Sequence, residues 1–238
     1  MSLPHPATAL PSDFTAEEVE IYRLVQAYTM TSPERVVAAV RAIDHVVANR
    51  IAGDVVECGV WRGGSMMAMA YALLHRGDAG RRLFLYDTFA GMPPPGDRDV
   101  QYDGSVAADL LASSPRNAPV WGFASLEEVR RNLESTGYPS ERIHFVPGPV
   151  EATIPLTVPA AIAVLRLDTD WYASTRHELR HLYPLLSERG ILIVDDYGHW
   201  RGAKEATDEY FGESTLRPFL HRIDYTGVLA VKPRLSRA

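Results

Sequence analysis

The chain has 238 residues, of which 46% are hydrophobic, and this size suits one sizeable α/β domain better than two full ones. Its formal net charge is −6 and no run of Lys or Arg exceeds a pair, which argues against nucleic acid or an anionic membrane as a partner. The single cysteine, Cys58, excludes an internal disulfide and a zinc site built on cysteines.

The N-terminus lacks a basic segment followed by an apolar one, and no apolar run reaches the length that spans a membrane. We therefore expect a soluble, cytoplasmic protein that binds small molecules. Residues 1–12 contain three prolines and little bulk, so we expect them to form a mobile leader.

Two helices are predicted ahead of the first strand. The first begins after Thr15, and in T-S-P-E-R the second has Ser32 as its N-cap and Pro33 as its first residue. Apolar residues then recur at helical spacing as far as Val47, so this helix should pack as an amphipathic arm on the rest of the chain. We expect residues 1–50 to form this helical arm or cover, and residues 51–238 the main domain.

The first strand, D-V-V-E-C, leads into G-V-W-R-G-G-S and a helix from about Ser65 to His75. A strand, a glycine-rich turn and a helix N-terminus can form a cradle for a nucleotide-type ligand. Neither the G-x-G-x-x-G dinucleotide fingerprint nor the phosphate-binding loop is present, so phosphate is a poorer guest, and a plain tight turn remains the alternative. The second strand, R-L-F-L-Y-D, ends in Asp87, where an acid suits the hydroxyls of a ribose.

An insertion of about residues 91–124 separates the second and third strand regions. It contains G-M-P-P-P-G-D, five prolines and few apolar positions at regular spacing. A segment of this kind in a compact domain is typical of a lid, a binding loop or disorder. We favour a lid over the site.

The remaining elements alternate between strands and helices. Ser125 is a suitable N-cap for L-E-E-V-R-R-N-L, and the third to fifth strands are R-I-H-F-V-P-G, A-I-A-V-L-R-L and G-I-L-I-V. Helices are predicted over Ala173–Ser187 and Ala203–Phe211, and Leu216–Ile223 and Gly227–Val231 form a closing pair, the latter antiparallel at or near an edge. This alternation predicts an α/β fold with a doubly wound, mainly parallel sheet.

Four aspartates follow the fourth and fifth strands, which are apolar until they end in L-D-T-D and V-D-D. They are Asp168, Asp170, Asp195 and Asp196. Ligands of open α/β sheets bind beyond the carboxyl ends of the strands, and carboxylates there suit a hard divalent cation. Capping of the following helices is the alternative, but it accounts poorly for the adjacent pair Asp195-Asp196.

The segment H-E-L-R-H matches the H-E-x-x-H helix of zinc proteases. At about 100° per residue, however, His177 and His181 lie opposite the apolar stripe that contains Leu182 and Leu186. We expect both histidines to point into solvent and no zinc to bind.

Four motifs together resemble the TylF/MycF family of macrocin-type O-methyltransferases: V-E-C-G-V-W-R-G-G-S, Y-D-T-F-A-G-M, L-R-L-D-T-D-W-Y-A-S-T and I-V-D-D-Y. The likeness extends from about Met30 to Val231. It implies a class I methyltransferase fold, a Rossmann-like sheet of about seven strands with the last antiparallel. It also implies a metal-dependent enzyme that uses S-adenosylmethionine to methylate sugar hydroxyls of antibiotics.

The resemblance also implies a role for individual positions. The cofactor-binding set would be Glu57, Gly59, Val60, Trp61, Arg62, Gly63, Gly64, Ser65, Asp87, Thr88, Phe89, Ser125 and Asp168. Of these residues, the ones that would line the methionine end of the cofactor are Glu57, Gly59, Trp61, Arg62 and Gly63. Asp87 would hold its ribose. Asp168, Asp195 and Asp196 would bind Mg²⁺, Asp170 would be the general base, and His199 is the next candidate for that role.

Two departures from the family pattern concern the acceptor. Pro149 stands where antibiotic enzymes of the family carry Trp, and Thr169 stands at their glycine. We expect the acceptor to be a small-molecule hydroxyl, first of all on a sugar of a glycosylated natural product, and the protein to be a homo-oligomer. The alternatives are a non-sugar hydroxyl, a Mg²⁺-dependent hydrolase or phosphoryl-transfer enzyme using the same aspartates, and a non-catalytic adenosyl-nucleoside binder.

Overall fold

The computed structural model describes residues 10–234, so residues 1–9 of the predicted leader lie outside it. The α-helices are Ala16–Val25 (α1), Pro33–Ala48 (α2), Gly64–His75 (α3), Ala107–Ser113 (α4), Leu126–Glu134 (α5), Val150–Thr153 (α6), Tyr172–Leu182 (α7) and Arg201–Glu213 (α8). The strands are Asp54–Cys58 (β1), Leu83–Asp87 (β2), Ile143–Pro147 (β3), Ile162–Leu167 (β4), Leu186–Val194 (β5), His221–Arg222 (β6) and Val228–Val231 (β7).

The strands form one seven-stranded sheet in the order β3-β2-β1-β4-β5-β7-β6. The first five strands along the chain are parallel, β7 is antiparallel to β5, and the short β6 pairs antiparallel with β7 at the edge. Successive parallel strands need a crossover, and the helices between them place cover on both faces. This confirms the predicted doubly wound sheet with an antiparallel last strand.

Alternate residues of the central strands face opposite layers of the core. Val55 and Val164 pack in the cluster that contains α1, α2, α3 and α5, whereas Val56 and Leu165 pack in the cluster with α6, α7 and α8. Because side chains alternate along a strand, a sheet that is covered on both faces needs strands that are apolar throughout. These central strands have that composition.

The two predicted N-terminal helices form where the capping residues indicate. Thr15 makes a capping box with Glu18, and Ser32 accepts a hydrogen bond from the backbone N–H of Arg35, with Pro33 as the first helical residue. The apolar side of α2, including Val40, is buried and packs beside α3. The arm therefore packs against the sheet domain.

Strand register brings the ends of three strands level. Cys58, Leu167 and Val194 are neighbours across β1, β4 and β5. The N–H of Asp168 donates to the carbonyl of Cys58 at 2.8 Å, and the N–H of Asp195 donates to the carbonyl of Leu167 at 2.9 Å. The first residues beyond β4 and β5 are thus aligned side by side.

Several boundaries differ from the sequence prediction. Helix α7 ends at Leu182 and not at Ser187, because Pro184 cannot continue the hydrogen-bonding pattern, and β5 begins at Leu186. The strand predicted over Leu216–Ile223 is reduced to two residues, and the insertion contains a helix, α4, that its composition did not indicate.

The prediction that His177 and His181 point into solvent is wrong. Both side chains are partly buried: the Ile154 carbonyl, just after α6, lies 2.8 Å from His177 Nε2, and the centre of the His181 ring lies 4.4 Å from that of His177. Glu178 of the same motif is fully buried on another side of the helix. Within residues 10–234, the group with metal-ligating geometry is a set of aspartates and does not include this motif.

None of the helices described over residues 10–234 is both long and apolar enough to cross a membrane.

Candidate functional site

A cavity of about 310 Å³ lies beyond the carboxyl ends of β1, β2, β4 and β5. Its wall is formed by the glycine-rich turn after β1, the aspartates after β4 and β5, the arm around residues 28–35, and parts of the insertion. In open α/β sheets this is the position where ligands bind. Its volume lies in the range of small-molecule sites.

All four predicted aspartates line this cavity. One carboxylate oxygen from each of Asp168, Asp195 and Asp196 lies within 4.8 Å of the others. Asp170 adopts a left-handed backbone conformation with φ of 67°, which turns the chain after β4 and returns its carboxyl group to the cavity. The predicted convergence of the four side chains is therefore found.

A buried arginine inside β4, which the motifs of the sequence did not single out, connects the acidic groups. The Arg166 side chain is only 2% exposed and donates to Glu57 at 2.7 Å, to Asp168 at 2.8 Å and to Asp195 at 2.5 Å. Burial alone would lower the pKa of this guanidinium, but the surrounding carboxylates outweigh burial and raise it. Arg166 therefore carries a fixed positive charge behind the aspartates.

A second arginine reaches the site from the arm. Arg35, at the start of α2, donates to Asp195 and, at 2.9 Å, to Asp224 in the turn between β6 and β7. Ser32 Oγ donates to the same Asp224 carboxylate at 2.8 Å. These contacts tie the arm to the acidic cluster, although nothing in the amphipathic pattern of α2 indicated them.

The acidic side chains of the cavity have too few positive partners for groups that are buried. Burial raises the pKa values of Asp168 and Asp196 well above the usual carboxyl range, and neighbouring carboxylates add to the effect. Burial likewise raises the pKa of Asp170 to about 7. Oδ2 of Asp196 is buried and has no hydrogen-bond partner within residues 10–234. A cation among these oxygens would favour their ionised forms.

Asp87 holds the glycine-rich turn in place. Its Oδ2 accepts from the N–H groups of Val60 at 2.7 Å and Trp61 at 3.2 Å, and its Oδ1 accepts from the N–H of Phe89 at 2.7 Å. Burial raises the pKa of this carboxyl, and the backbone hydrogen bonds oppose that rise. Asp87 lines the cavity as predicted, and its contact with a ribose stays a prediction.

The glycines of the turn allow the chain to approach itself. At Gly59, where φ is 77°, an added Cβ would lie 2.0 Å from the carbonyl oxygen of Asp168. At Gly64 it would lie 2.6 Å from the backbone of Tyr28, in the arm. These two glycines therefore fix the spacing between β1 and β4 and between α3 and the arm.

The predicted cofactor-binding residues divide into three groups. Those lining the cavity are Gly59, Val60, Trp61, Ser65, Asp87 and Asp168, and Thr88 lines an adjoining cavity of about 60 Å³. Those engaged elsewhere are Glu57 with Arg166, Arg62 with Glu128, Phe89 with Phe145, and Ser125 as the N-cap of α5. Gly63 is the N-cap of α3 and Gly64 its first residue. A cofactor contact for any of them stays a prediction.

His199 lines the cavity beside aromatic rings. Its Nδ1 lies 3.3 Å from the hydroxyl of Tyr225, and its ring contacts those of Tyr102 and Trp200. Burial lowers its pKa, and the charge of Arg35 lowers it further. The neutral imidazole favoured by this shift is able to accept a proton.

The insertion covers one side of the cavity. Met92, Gln101 and Val120 contribute to its lining, and α4 packs in a small apolar cluster with Trp171 and Trp200. The Trp171 indole donates to the carbonyl of Pro93 at 3.0 Å. The segment is thus in the position expected of a lid, and movement of that lid stays a prediction.

Comparison with known proteins is informative over most of the chain. The family model described as macrocin-O-methyltransferase (TylF) matches residues 14–232. A demethyldecarbamoylnovobiocin O-methyltransferase from Streptomyces niveus is 36% identical over 202 residues, which make up 85% of this chain and 74% of that protein. A mycinamicin III 3''-O-methyltransferase from Micromonospora griseorubida is 32% identical over 203 residues, 85% of this chain and 77% of that protein.

Solved structures agree with the fold. The O-methyltransferase NovP superimposes with a TM-score of 0.74 at 36% identity, covering 87% of this chain and 83% of that chain. The calicheamicin methyltransferase CalS11 superimposes with a TM-score of 0.64 over 94% of each chain, and at 17% identity this likeness concerns the fold alone.

Proposed function

Because the chain belongs to the macrocin-O-methyltransferase (TylF) family, whose members are S-adenosylmethionine-dependent O-methyltransferases, we propose that it methylates a sugar hydroxyl of a glycosylated natural product with the help of Mg²⁺. The observation that carries the metal part is the convergence of Asp168, Asp195 and Asp196, with ligand atoms within 4.8 Å of one another. The relatives are O-methyltransferases, and this favours the proposal over the hydrolase or phosphoryl-transfer alternative.

The acceptor class rests on the relatives and on the shape of the site. A third relative, from Streptomyces olivaceus, is 35% identical and is named for methylating the 4' position of a rhamnosyl tetracenomycin. The cavity here combines carboxylates with His199, Trp200 and Tyr225 at its wall. Polar groups that hydrogen-bond hydroxyls, next to aromatic surfaces that pack on apolar rings, suit a glycosylated small molecule.

The chemistry of the donor set fits a magnesium ion. Mg²⁺ prefers oxygen ligands in octahedral geometry, and Asp196 Oδ2 is a buried oxygen that lacks a partner in the described part of the chain. When bound, the ion would polarise the acceptor hydroxyl and stabilise negative charge on its oxygen. Asp168, Asp195 and Asp196 would hold it, and Arg166 fixes the orientation of the first two carboxylates from behind.

The turn after β1 and the Asp87 carboxylate would hold S-adenosylmethionine, which supplies an electrophilic methyl group when bound. Gly59, Trp61 and Ser65 line the same cavity as the aspartates, so the cofactor and the acceptor can be held next to each other. Holding two reactants in line supplies a large part of the rate enhancement in group transfer. Residues of the arm and of the insertion line the same cavity, and their closure over bound ligands would exclude water from it.

Asp170 would accept the proton of the acceptor hydroxyl. Its carboxyl lines the cavity next to the proposed metal ligands and is not among the partners of either Arg35 or Arg166. A base free of ion pairing can change its protonation state without breaking a salt bridge. His199 remains the second candidate, since its pKa is lowered and its ring faces the same cavity.

The experiment is a metal-depletion assay with S-adenosylmethionine and a panel of glycosylated acceptors. EDTA should abolish turnover and added Mg²⁺ should restore it, and alanine at Asp168, Asp195 or Asp196 should remove both activity and metal dependence. Asp13→Ala, which changes an exposed aspartate ahead of α1, is the matched control and should behave like the wild type. Full turnover in EDTA would refute the role of the metal. Homo-oligomer formation stays a prediction that light scattering can test.

A further inference from the structure

Two unusual features of the sequence meet in one buried contact. Thr169 stands between the aspartates in D-T-D, and Glu178 is the acid of the H-E-L-R-H segment. In the structure Thr169 Oγ1 donates a hydrogen bond to Glu178 Oε1 at 2.9 Å. Glu178 has no exposed surface.

The contact holds the loop that carries the acidic groups. Asp168 and Asp170 flank Thr169 and line the large cavity, whereas the Thr169 hydroxyl is bonded to α7. The Thr169 carbonyl accepts from the N–H of Trp171 at 2.7 Å, which closes a tight turn. Thr169 is therefore fixed through both its side chain and its backbone, and the two aspartates follow its position.

The buried carboxyl group of Glu178 is unfavourable for the stability of the fold. No ion pair to it is found among the described residues, and besides the Thr169 hydroxyl the partner that its carboxyl group has there is the Cys58 thiol, a weak donor. Burying such a group costs free energy that these two contacts offset only in part. What the Glu178 carboxyl group does provide is an acceptor that holds the Thr169 hydroxyl in one position.

We propose that Glu178 is a positioning residue, which acts through Thr169 to hold the loop of residues 168–170 so that Asp168 is set for metal binding and Asp170 for proton transfer. The proposal deepens the proposed function and rests on it for the roles of these two aspartates. Partners one step removed from a metal typically change metal affinity or activity by about 10- to 100-fold when they are altered.

The test measures binding of Mn²⁺ alone by calorimetry, without cofactor or acceptor. Thr169→Val and Glu178→Leu should each weaken Mn²⁺ binding by about 10-fold or more. Glu178→Gln should stay close to the wild type, because its amide oxygen can accept the same hydrogen bond from Thr169. The double variant Thr169→Val/Glu178→Leu should bind no more weakly than the weaker single variant, because both changes remove one interaction.

The matched control is Thr207→Val. Thr207 is fully buried and, like Thr169, donates a hydrogen bond through its hydroxyl, but its acceptor at 2.8 Å is the Ala203 carbonyl of its own helix, α8. It should lose stability and keep Mn²⁺ affinity, which separates a positioning effect from a general loss of packing. Unchanged affinity in Thr169→Val, or Glu178→Gln binding as weakly as Glu178→Leu, would overturn the proposal.

Hydrogen exchange distinguishes failure of this inference from failure of the proposed function. A wild-type protein without saturable Mn²⁺ binding would refute the metal role, and exchange in residues 168–174 would then decide the inference alone. Faster exchange there in Thr169→Val but not in Thr207→Val supports it. Equal exchange in both variants and the wild type overturns it.

Discussion

Replacement of Arg166 by methionine tests how the acidic cluster is balanced. The guanidinium is 2% exposed and bonds three carboxylates, Glu57, Asp168 and Asp195, at 2.5 to 2.8 Å. Methionine keeps an unbranched, flexible side chain but removes the charge and every donor. The three carboxylates would then lose their shared partner in an environment that already raises the pKa of Glu57 to about 7.

The size of the effect follows from burial. Removal of one partner from a buried ion pair costs about 3–5 kcal/mol, because the other charge is left without compensation. For a chain of this length, 1 kcal/mol corresponds to about 2–4 °C in Tm, so Arg166→Met should melt roughly 6–20 °C below the wild type in EDTA. Arg131→Met is the control, since that arginine is 62% exposed and pairs with Glu127 on the surface. It should cost only about 0.3–0.5 kcal/mol.

Magnesium should restore part of the loss. A ligand that binds only the folded state adds about 2.7 kcal/mol of stability at a hundred times its Kd. Without Arg166 the carboxylates carry more uncompensated charge, so Mg²⁺ should raise the Tm of the variant by more than that of the wild type. Thermal melts of both proteins and the control, in EDTA and in a Mg²⁺ series, give the comparison. A variant that melts with the wild type in EDTA, or equal Mg²⁺ shifts, would refute the reasoning.

Four further predictions concern other parts of the site. Asp87→Asn should weaken binding of S-adenosylhomocysteine and lower the free energy of unfolding by about 1–3 kcal/mol, because this carboxylate anchors the turn. Unchanged affinity in calorimetry would contradict this prediction. Gly64→Ala should loosen the arm at Tyr28, seen as faster proteolysis of the arm, and resistance equal to the wild type would argue otherwise. Backbone amide hydrogen exchange over residues 92–122 should slow when cofactor and acceptor are both bound. Equal protection of these residues in the free and the bound protein would exclude a moving lid. Asp170→Asn should keep Mn²⁺ affinity and lose about 10²–10⁴ in kcat, and an active variant would move the base to another group.

The ends of the strands at this site were predictable because one sequence pattern indicates both a buried strand and a group of acidic side chains at its end. An apolar run that stops in carboxylates indicates a buried strand, and parallel strands end at one edge, so Asp168 and Asp195 had to come close together. The caps Ser32 and Ser125 were equally clear, since each is set by a neighbour only three residues away.

The partners of those carboxylates were harder to predict. Arg166 stands in A-I-A-V-L-R-L, where a single charge inside an apolar strand was the available signal, since a buried arginine requires acidic partners. Arg35 gave no such signal, because a basic residue on an amphipathic helix is usually solvated, and its contact with Asp195 spans 160 positions of the chain. The histidines of H-E-L-R-H failed for a related reason: a helical wheel shows the apolar stripe of α7 but not the covering of its other side by α6.

The charges at the strand exits also account for a division of labour. The carboxylates of Glu57, Asp224 and the four aspartates outnumber the guanidinium groups of Arg35 and Arg166, so the cluster carries an excess of negative charge when all of these groups are ionised. Burial raises the pKa values of Asp168, Asp170 and Asp196, and the neighbouring carboxylates raise them further. A dication would cancel two of these negative charges. Asp170, which neither arginine holds, would then be the carboxylate in the position to take up a proton.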